Sequence, residues 1–91
     1  MKLSSDMVVN GIALSTTPEE FFQHIKAGLD QQGKSQNPQK VSMDNVVRDA
    51  NIAIDFFLRQ NIIEKAVAET PKSRAEIEKI LDKIGNYTIN Q

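Results

Sequence analysis

Ninety-one residues without a cysteine leave room for one small domain, residues 1–91, that no disulfide or thiolate metal site can stabilise. Apolar residues make up 40% and charged residues 25% of the chain, which is typical of a folded globular protein. Lysine and arginine total 11 against 12 aspartate and glutamate, spread over both halves, and this disfavours a nucleic-acid partner. No apolar run exceeds three residues and residues 1–6 hold no signal-peptide core, so the sequence predicts a cytoplasmic protein without membrane contact.

Residues 1–16 are predicted to form a flexible or β-hairpin arm. Two β-prone runs, Met7-Val8-Val9 and Ile12-Ala13-Leu14, flank Asn10-Gly11, a pair that tolerates the positive φ angles of a type I′ turn. Strands this short are marginal in water, so the hairpin would have to lie on the helices or order on a partner. A plain turn at Asn10-Gly11 is the alternative that these residues leave open.

The first predicted helix runs from Pro18 to Gln32. Thr17 can cap it, Pro18 suits its first position, and Glu20 completes a capping box. Its apolar stripe consists of Phe21, Phe22, Ile25 and Leu29. Gly33 is a plausible stop, and a polar linker with Asn37-Pro38 continues to residue 41.

Ser42 is predicted to cap a long central helix, from about Met43 to Glu69. At 100° per residue, one stripe is suited to a core and consists of Met43, Val46, Val47, Ala50, Ala53, Ile54 and Phe57. A second, displaced stripe consists of Ile52, Phe56, Ile63 and Val67. The buried face therefore rotates near residues 58–62. Either the helix breaks or bends there, or it stays straight and is covered on two faces.

The last predicted helix begins with the capping box Ser73-Arg74-Ala75-Glu76 and ends at Ile84. Its apolar stripe consists of Ile77, Ile80, Leu81 and Ile84. Gly85 is predicted to stop the helix as the residue just after it, a position where glycine often has a positive φ, and residues 86–91 are predicted to form a flexible tail. The predicted fold is therefore all-α, with three helices, a long central one, and a short β-prone N-terminal segment.

The sequence offers no arrangement of side chains that predicts catalysis, a cofactor or a metal. His24 lies one helical turn after Glu20, but no motif supplies a nucleophile for such a pair. The four glycines are isolated, so there is no phosphate-binding loop. We therefore expect a protein that is not an enzyme and binds neither cofactor nor metal.

The second stripe of the central helix is predicted to be an interface. The two flanking helices can cover one side of the central helix, which leaves Ile52, Phe56, Ile63 and Val67 for a protein partner or a second copy of the chain. The favoured function is a non-catalytic protein-binding module that self-associates. Adaptor, inhibitor, immunity-type and secretion-chaperone roles all fit such a chain. An ordinary monomeric core is the other interpretation of this stripe.

A second functional hypothesis comes from a resemblance to a known class of assembly. A helix, a linker with Asn37-Pro38, and a long second helix with the spacing Ala50, Ala53 and Ala66 resemble the small axial subunits of flagellar rods and type III secretion needles. The resemblance covers Phe21 to Glu69 and implies a self-assembling structural subunit. The residues after Thr70 have no counterpart in such subunits.

A third hypothesis is a DNA-binding regulator of the helix-turn-helix type. The helix ending near Glu69, the turn at residues 70–72 and the last helix would form the motif. Its phosphate contacts would come from Lys72, Arg74, Lys79 and Lys83. Interleaved acidic residues, and a turn without the usual glycine, disfavour this interpretation.

Overall fold

The computed structural model describes residues 3–33 and 42–87, which form five α-helices and, within those ranges, no strand. The helices are α1 (Ser5–Leu14), α2 (Pro18–Gly33), α3 (Met43–Phe56), α4 (Arg59–Glu69) and α5 (Arg74–Gly85). The all-α class is confirmed, whereas the prediction of three helices with a β-prone N-terminal segment is wrong. Most of the predicted linker, residues 34–41, and residues 88–91 of the predicted tail lie outside the described residues.

The segment predicted as a hairpin arm is helix α1. Its N-terminus is capped by Ser4, whose hydroxyl accepts a hydrogen bond from the backbone N–H of Met7 at 3.2 Å. The helix buries Val8, Val9 and Ile12 in the core. A two-stranded ribbon with three-residue strands could not have buried all three side chains on one side, because alternate residues of a strand face opposite ways.

Gly11, predicted to lie in a turn, instead lies where α1 packs tightly against α2. A Cβ atom at this position would lie 3.0 Å from two ring carbons of Phe21. The glycine is thus needed for close packing of two helices rather than for a positive φ. The turn signal of Asn10-Gly11 was misleading because it describes the local backbone preference alone.

The predicted central helix is two helices, α3 and α4, separated at Phe57 and Leu58. Helix α3 ends with a hydrogen bond from the N–H of Phe57 to the carbonyl of Ala53, at 2.9 Å. Helix α4 begins with a hydrogen bond from the N–H of Asn61 to the carbonyl of Leu58, at 2.8 Å. Leu58 has φ 64° and ψ 108°, and no other non-glycine residue among residues 3–33 and 42–87 has a positive φ. The buried face therefore rotates because the helix breaks, which was one of the two predicted causes.

Helix α5 begins as predicted and ends differently. The hydroxyl of Ser73 accepts from the N–H of Glu76 at 3.3 Å, and the Glu76 carboxylate accepts from the N–H of Ser73 at 3.2 Å. This capping box is confirmed. The prediction that Gly85 follows the helix is wrong, because Gly85 is the last helical residue, its φ is not positive, and the chain leaves the helix through Asn86 at φ −101°.

One core joins all five helices. Its largest fully buried side chains are Phe21, Phe22, Ile12, Ile25, Ile62, Ile63, Ile77, Ile84, Val8 and Val46. The predicted stripes of α2 and α5 lie in this core, as do Val46, Ala50 and Ile54 of α3. Tyr87, which was predicted to lie in the flexible tail, packs against Phe22 with ring centroids 4.8 Å apart.

An exposed ion pair ties α1 to α4 at the edge of the core. The Nζ of Lys65 donates a hydrogen bond to the carboxylate of Asp6 at 2.5 Å, and this bond raises the pKa of Lys65. The contact joins residues that are far apart in sequence, at the rim of a helix that its buried side chains hold in the core.

Candidate functional site

Three exposed apolar side chains lie around the break between α3 and α4. The exposed fraction is 59% for Ile52, 75% for Phe56 and 62% for Leu58. Ile52 and Phe56 are four residues apart and so share one side of α3, while Leu58 follows at the break itself. We call these three residues the joint surface.

The orientation of α3 follows from what its other side buries. Val46, Ala50 and Ile54 recur every four residues and lie in the core. At 100° per residue, the side that carries Ile52 and Phe56 is about 140° away from them. Burial of the first stripe therefore forces the second one into solvent.

Phe56 rests on a partly buried neighbour. Its ring meets that of Phe57 edge-to-face, with centroids 5.5 Å apart and an interplanar angle of 86°. Phe57 itself packs against the core. Such a pair contributes about 0.5–1.5 kcal/mol beyond the area it buries, so the exposed ring is held by a fixed support.

Leu58 has an unfavourable backbone conformation and gains little packing in return. A positive φ at a residue with a side chain costs on the order of 1–3 kcal/mol. The residue is exposed, and no side chain caps the N-terminus of α4 at this position. Backbone strain and exposed apolar area thus coincide at one point of the chain, and both are features that concentrate at functional sites.

Charged side chains surround the joint surface. Arg48 and Asp55 are exposed on α3, each about one turn from Ile52. Arg48 lies 3.5 Å from the carboxylate of its neighbour Asp49, and Asp55 forms no ion pair within the described ranges. Arg59, the first residue of α4, forms an ion pair with Asp82 and so connects the chain at the break to α5.

The structure divides the strip that the sequence predicted as partner-binding. Ile52 and Phe56 lie on the joint surface, whereas Ile63 is 1% exposed and belongs to the core. Val67 is 42% exposed toward the C-terminal end of α4, beyond the break. Leu58 was missed. Its one signal in the sequence is its position where the apolar pattern changes sides, directly after two phenylalanines.

The basic residues predicted to contact phosphate also separate. Lys72, Lys79 and Lys83 line an open pocket of about 210 Å³, whose remaining lining residues are Thr16, Glu76 and Ile80. Arg74 faces α4 instead, where it donates to the side-chain oxygen of Gln60 at 2.8 Å. Glu78 forms an ion pair with the same arginine at 3.3 Å.

The acidic groups around this pocket cap helices. The carboxylate of Glu20 accepts hydrogen bonds from the N–H and the hydroxyl of Thr16, at 2.8 and 2.9 Å, and these bonds lower the pKa of Glu20. The capping box predicted at Thr17 is therefore only half formed, because the Glu20 carboxylate bonds to Thr16, one residue before Thr17. The pKa of Glu76 is lowered mainly by its bond from the N–H of Ser73. Both carboxylates have structural partners.

His24 is exposed on α2. Among residues 3–33 and 42–87, no three histidine, aspartate or glutamate side chains are grouped so that they could hold a metal ion. In the same ranges, every helix is too short or too polar to cross a membrane. Comparisons with protein-family models, with curated proteins and with solved structures found no match for this chain.

Proposed function

We propose that this chain is a non-catalytic protein-binding module that docks through the joint surface, Ile52, Phe56 and Leu58. The observation that carries the proposal is the 75% exposure of a phenylalanine that is supported by a second aromatic ring. Aromatic side chains are common anchors in protein interfaces. Adaptor, inhibitor, immunity-type and secretion-chaperone roles all require a surface that binds another protein.

The strained backbone of Leu58 supports the same proposal. A glycine here would relieve the positive φ, and little packing within the chain would be lost because the leucine is exposed. Folding of the isolated chain therefore gains little from this leucine. A docking partner that covers the side chain would give it a role.

The two other functional hypotheses have weaker support. The resemblance to axial subunits depended on one long second helix, and α3 ends at Phe56 after 14 residues. Of the four residues that the helix-turn-helix hypothesis assigns to phosphate contacts, the three lysines line one pocket. Arg74 instead donates a hydrogen bond to Gln60 and forms an ion pair with Glu78.

The proposal can be tested by affinity capture with three matched baits. The baits are the wild-type chain, Phe56→Asp, and Leu14→Asp as a control at a leucine that is 70% exposed on α1. From an extract of the native host, the wild type and Leu14→Asp should retain the same protein, and Phe56→Asp should lose it. Circular dichroism should show equal helical content for all three, because both side chains are exposed.

The contradicting result is equally clear. If Phe56→Asp is folded and retains the same proteins as the wild type, the joint surface is not where this chain binds.

A further inference from the structure

Building on the proposed function, we infer that the occupant of the joint surface is a second copy of this chain, with the two α3 helices packed antiparallel about a twofold axis. A twofold interface places the same patch of both copies face to face, so the patch must be complementary to itself. The arrangement of charges on α3 meets that condition.

The exposed side of α3 has one flank with charges of both signs and one flank with an acid and the aromatic ring. Taking Ile52 as the centre, Arg48 and Asp55 lie about 40° and 60° to one side at 100° per residue. Asp49 and Phe56 lie about as far to the other side. All five residues are exposed.

Antiparallel pairing sets each flank against the same flank of the other copy. Arg48 lies one turn before Ile52 and Asp55 one turn after it, so Arg48 of each copy meets Asp55 of the other. Ile52 meets its own counterpart at the axis. The ring of Phe56 lies against the helical turn that carries Asp49 in the second copy. On the other flank, the two symmetry-related contacts between Arg48 and Asp55 join opposite charges.

The contacts within one chain leave these charges available. The side chain of Arg48 is 65% exposed and has its neighbour Asp49 as an ion-pair partner. Asp55 has none among the described residues. A parallel pair would set Arg48 against Asp49 and Asp55 against Phe56 of the other copy, so that Asp55 would stay without an opposite charge. The antiparallel arrangement leaves Asp49 beside Phe56, where it still has Arg48 of its own chain, gives Asp55 a basic partner, and opposes the two helix dipoles favourably.

A charge-exchange experiment tests this inference on the full chain at low ionic strength, where surface charges are least screened. Sedimentation equilibrium would be run on the wild type, on Arg48→Asp, on Asp55→Arg, and on an equimolar mixture of the two variants. The wild type should form dimers that dissociate on dilution. Each variant alone should dimerise about tenfold or more weakly, because like charges meet at both symmetry-related contacts.

The mixture should regain wild-type association as a heterodimer, since every contact then again joins an acid to a base. Lys79→Asp and Glu64→Arg make the same changes of charge on exposed residues of α5 and α4, and should dimerise like the wild type. Recovery in the mixture is specific to the antiparallel arrangement.

Three results would overturn the inference. A wild-type chain that stays monomeric at all concentrations excludes a second copy as occupant. Weakening by Arg48→Asp but not by Asp55→Arg excludes the antiparallel arrangement, as does a mixture that does not recover. These failures differ from failure of the proposed function, because Phe56→Asp would still lose a host protein if another partner docks on the joint surface.

Discussion

The two ends of α4 connect to their neighbours in opposite ways. At the turn before α5, Ser73 and Glu76 satisfy each other's backbone N–H groups in a complete capping box. At the break after α3, Leu58 has a positive φ, no side chain caps the helix, and the leucine is exposed beside Phe56. One connection is built from residues that favour it locally. The other is held against local preference, and it is the one that presents an apolar surface.

This contrast indicates what each connection contributes. A capped turn stabilises the chain without any partner. An uncapped, strained and apolar connection stabilises the chain less than a glycine or asparagine would, and such positions are found at functional sites. Of the two connections of α4, the break is therefore the one that we propose to serve binding.

The largest expected effect separates the buried from the exposed residues of the predicted strip. Ile63→Ala should lower the free energy of unfolding by about 2–5 kcal/mol, because it leaves a cavity in the core. Phe56→Ala should lower it by no more than about 1.5 kcal/mol, the value of its edge-to-face pair. Urea denaturation at low protein concentration measures both. Equal losses would mean that Phe56 is part of the core in solution.

A smaller loss is expected at the capped connection. Ser73→Ala should reduce stability by about 1 kcal/mol, because the N–H of Glu76 loses its acceptor. Ser73→Asp keeps an acceptor at this position and serves as the control. An unchanged urea midpoint for the alanine variant would show that the capping box contributes nothing to α5.

The strained connection should respond in the opposite direction. Leu58→Gly should raise stability by about 0.5–1 kcal/mol, since relief of the positive φ outweighs the greater entropy of glycine in the unfolded chain. The same change should weaken self-association in a dilution series, because an exposed leucine is removed. A destabilised variant that associates normally would refute both halves of this prediction.

The smallest expected effect is a pH dependence of stability that comes from the carboxylates of two helix caps. Hydrogen bonds to the carboxylates lower the pKa of Glu20 and of Glu76 below the ordinary value for glutamate, about 4.3. A lowered folded-state pKa contributes stability above that ordinary value, and this contribution is lost as the pH falls through the folded-state pKa. Glu76→Gln should therefore melt below the wild type at pH 7 and nearly with it at pH 3. A constant difference between the two melting temperatures would contradict the assignment.

Where local signals and tertiary packing agree, the sequence predicted the fold well. The caps at Ser42 and Ser73 and the apolar stripes of α2 and α5 are confirmed. Asn10-Gly11 failed because burial of α1 against α2 outweighed a turn preference. Gly85 failed because a glycine after an apolar stripe can simply end the helix without a positive φ.

The candidate site was only partly predictable, because part of it depends on the break between α3 and α4. Angles on a helical wheel were enough to place Ile52 and Phe56 opposite the buried stripe. The burial of Ile63 depends on the break, and leucine is a good helix former that gives no local signal for one. Leu58 could therefore be assigned to the surface only from the folded chain.

The claim that a second copy covers the joint surface is tested most directly at Phe56 itself. The chain has no tryptophan, so Phe56→Trp introduces a single fluorescent reporter at this position. The account predicts blue-shifted emission at high protein concentration and a shift to the red on dilution. Adding Arg48→Asp should give red emission throughout. Red emission from Phe56→Trp alone at every concentration would show that no second copy covers the surface, and blue emission at every dilution would show that the side chain is buried within one chain.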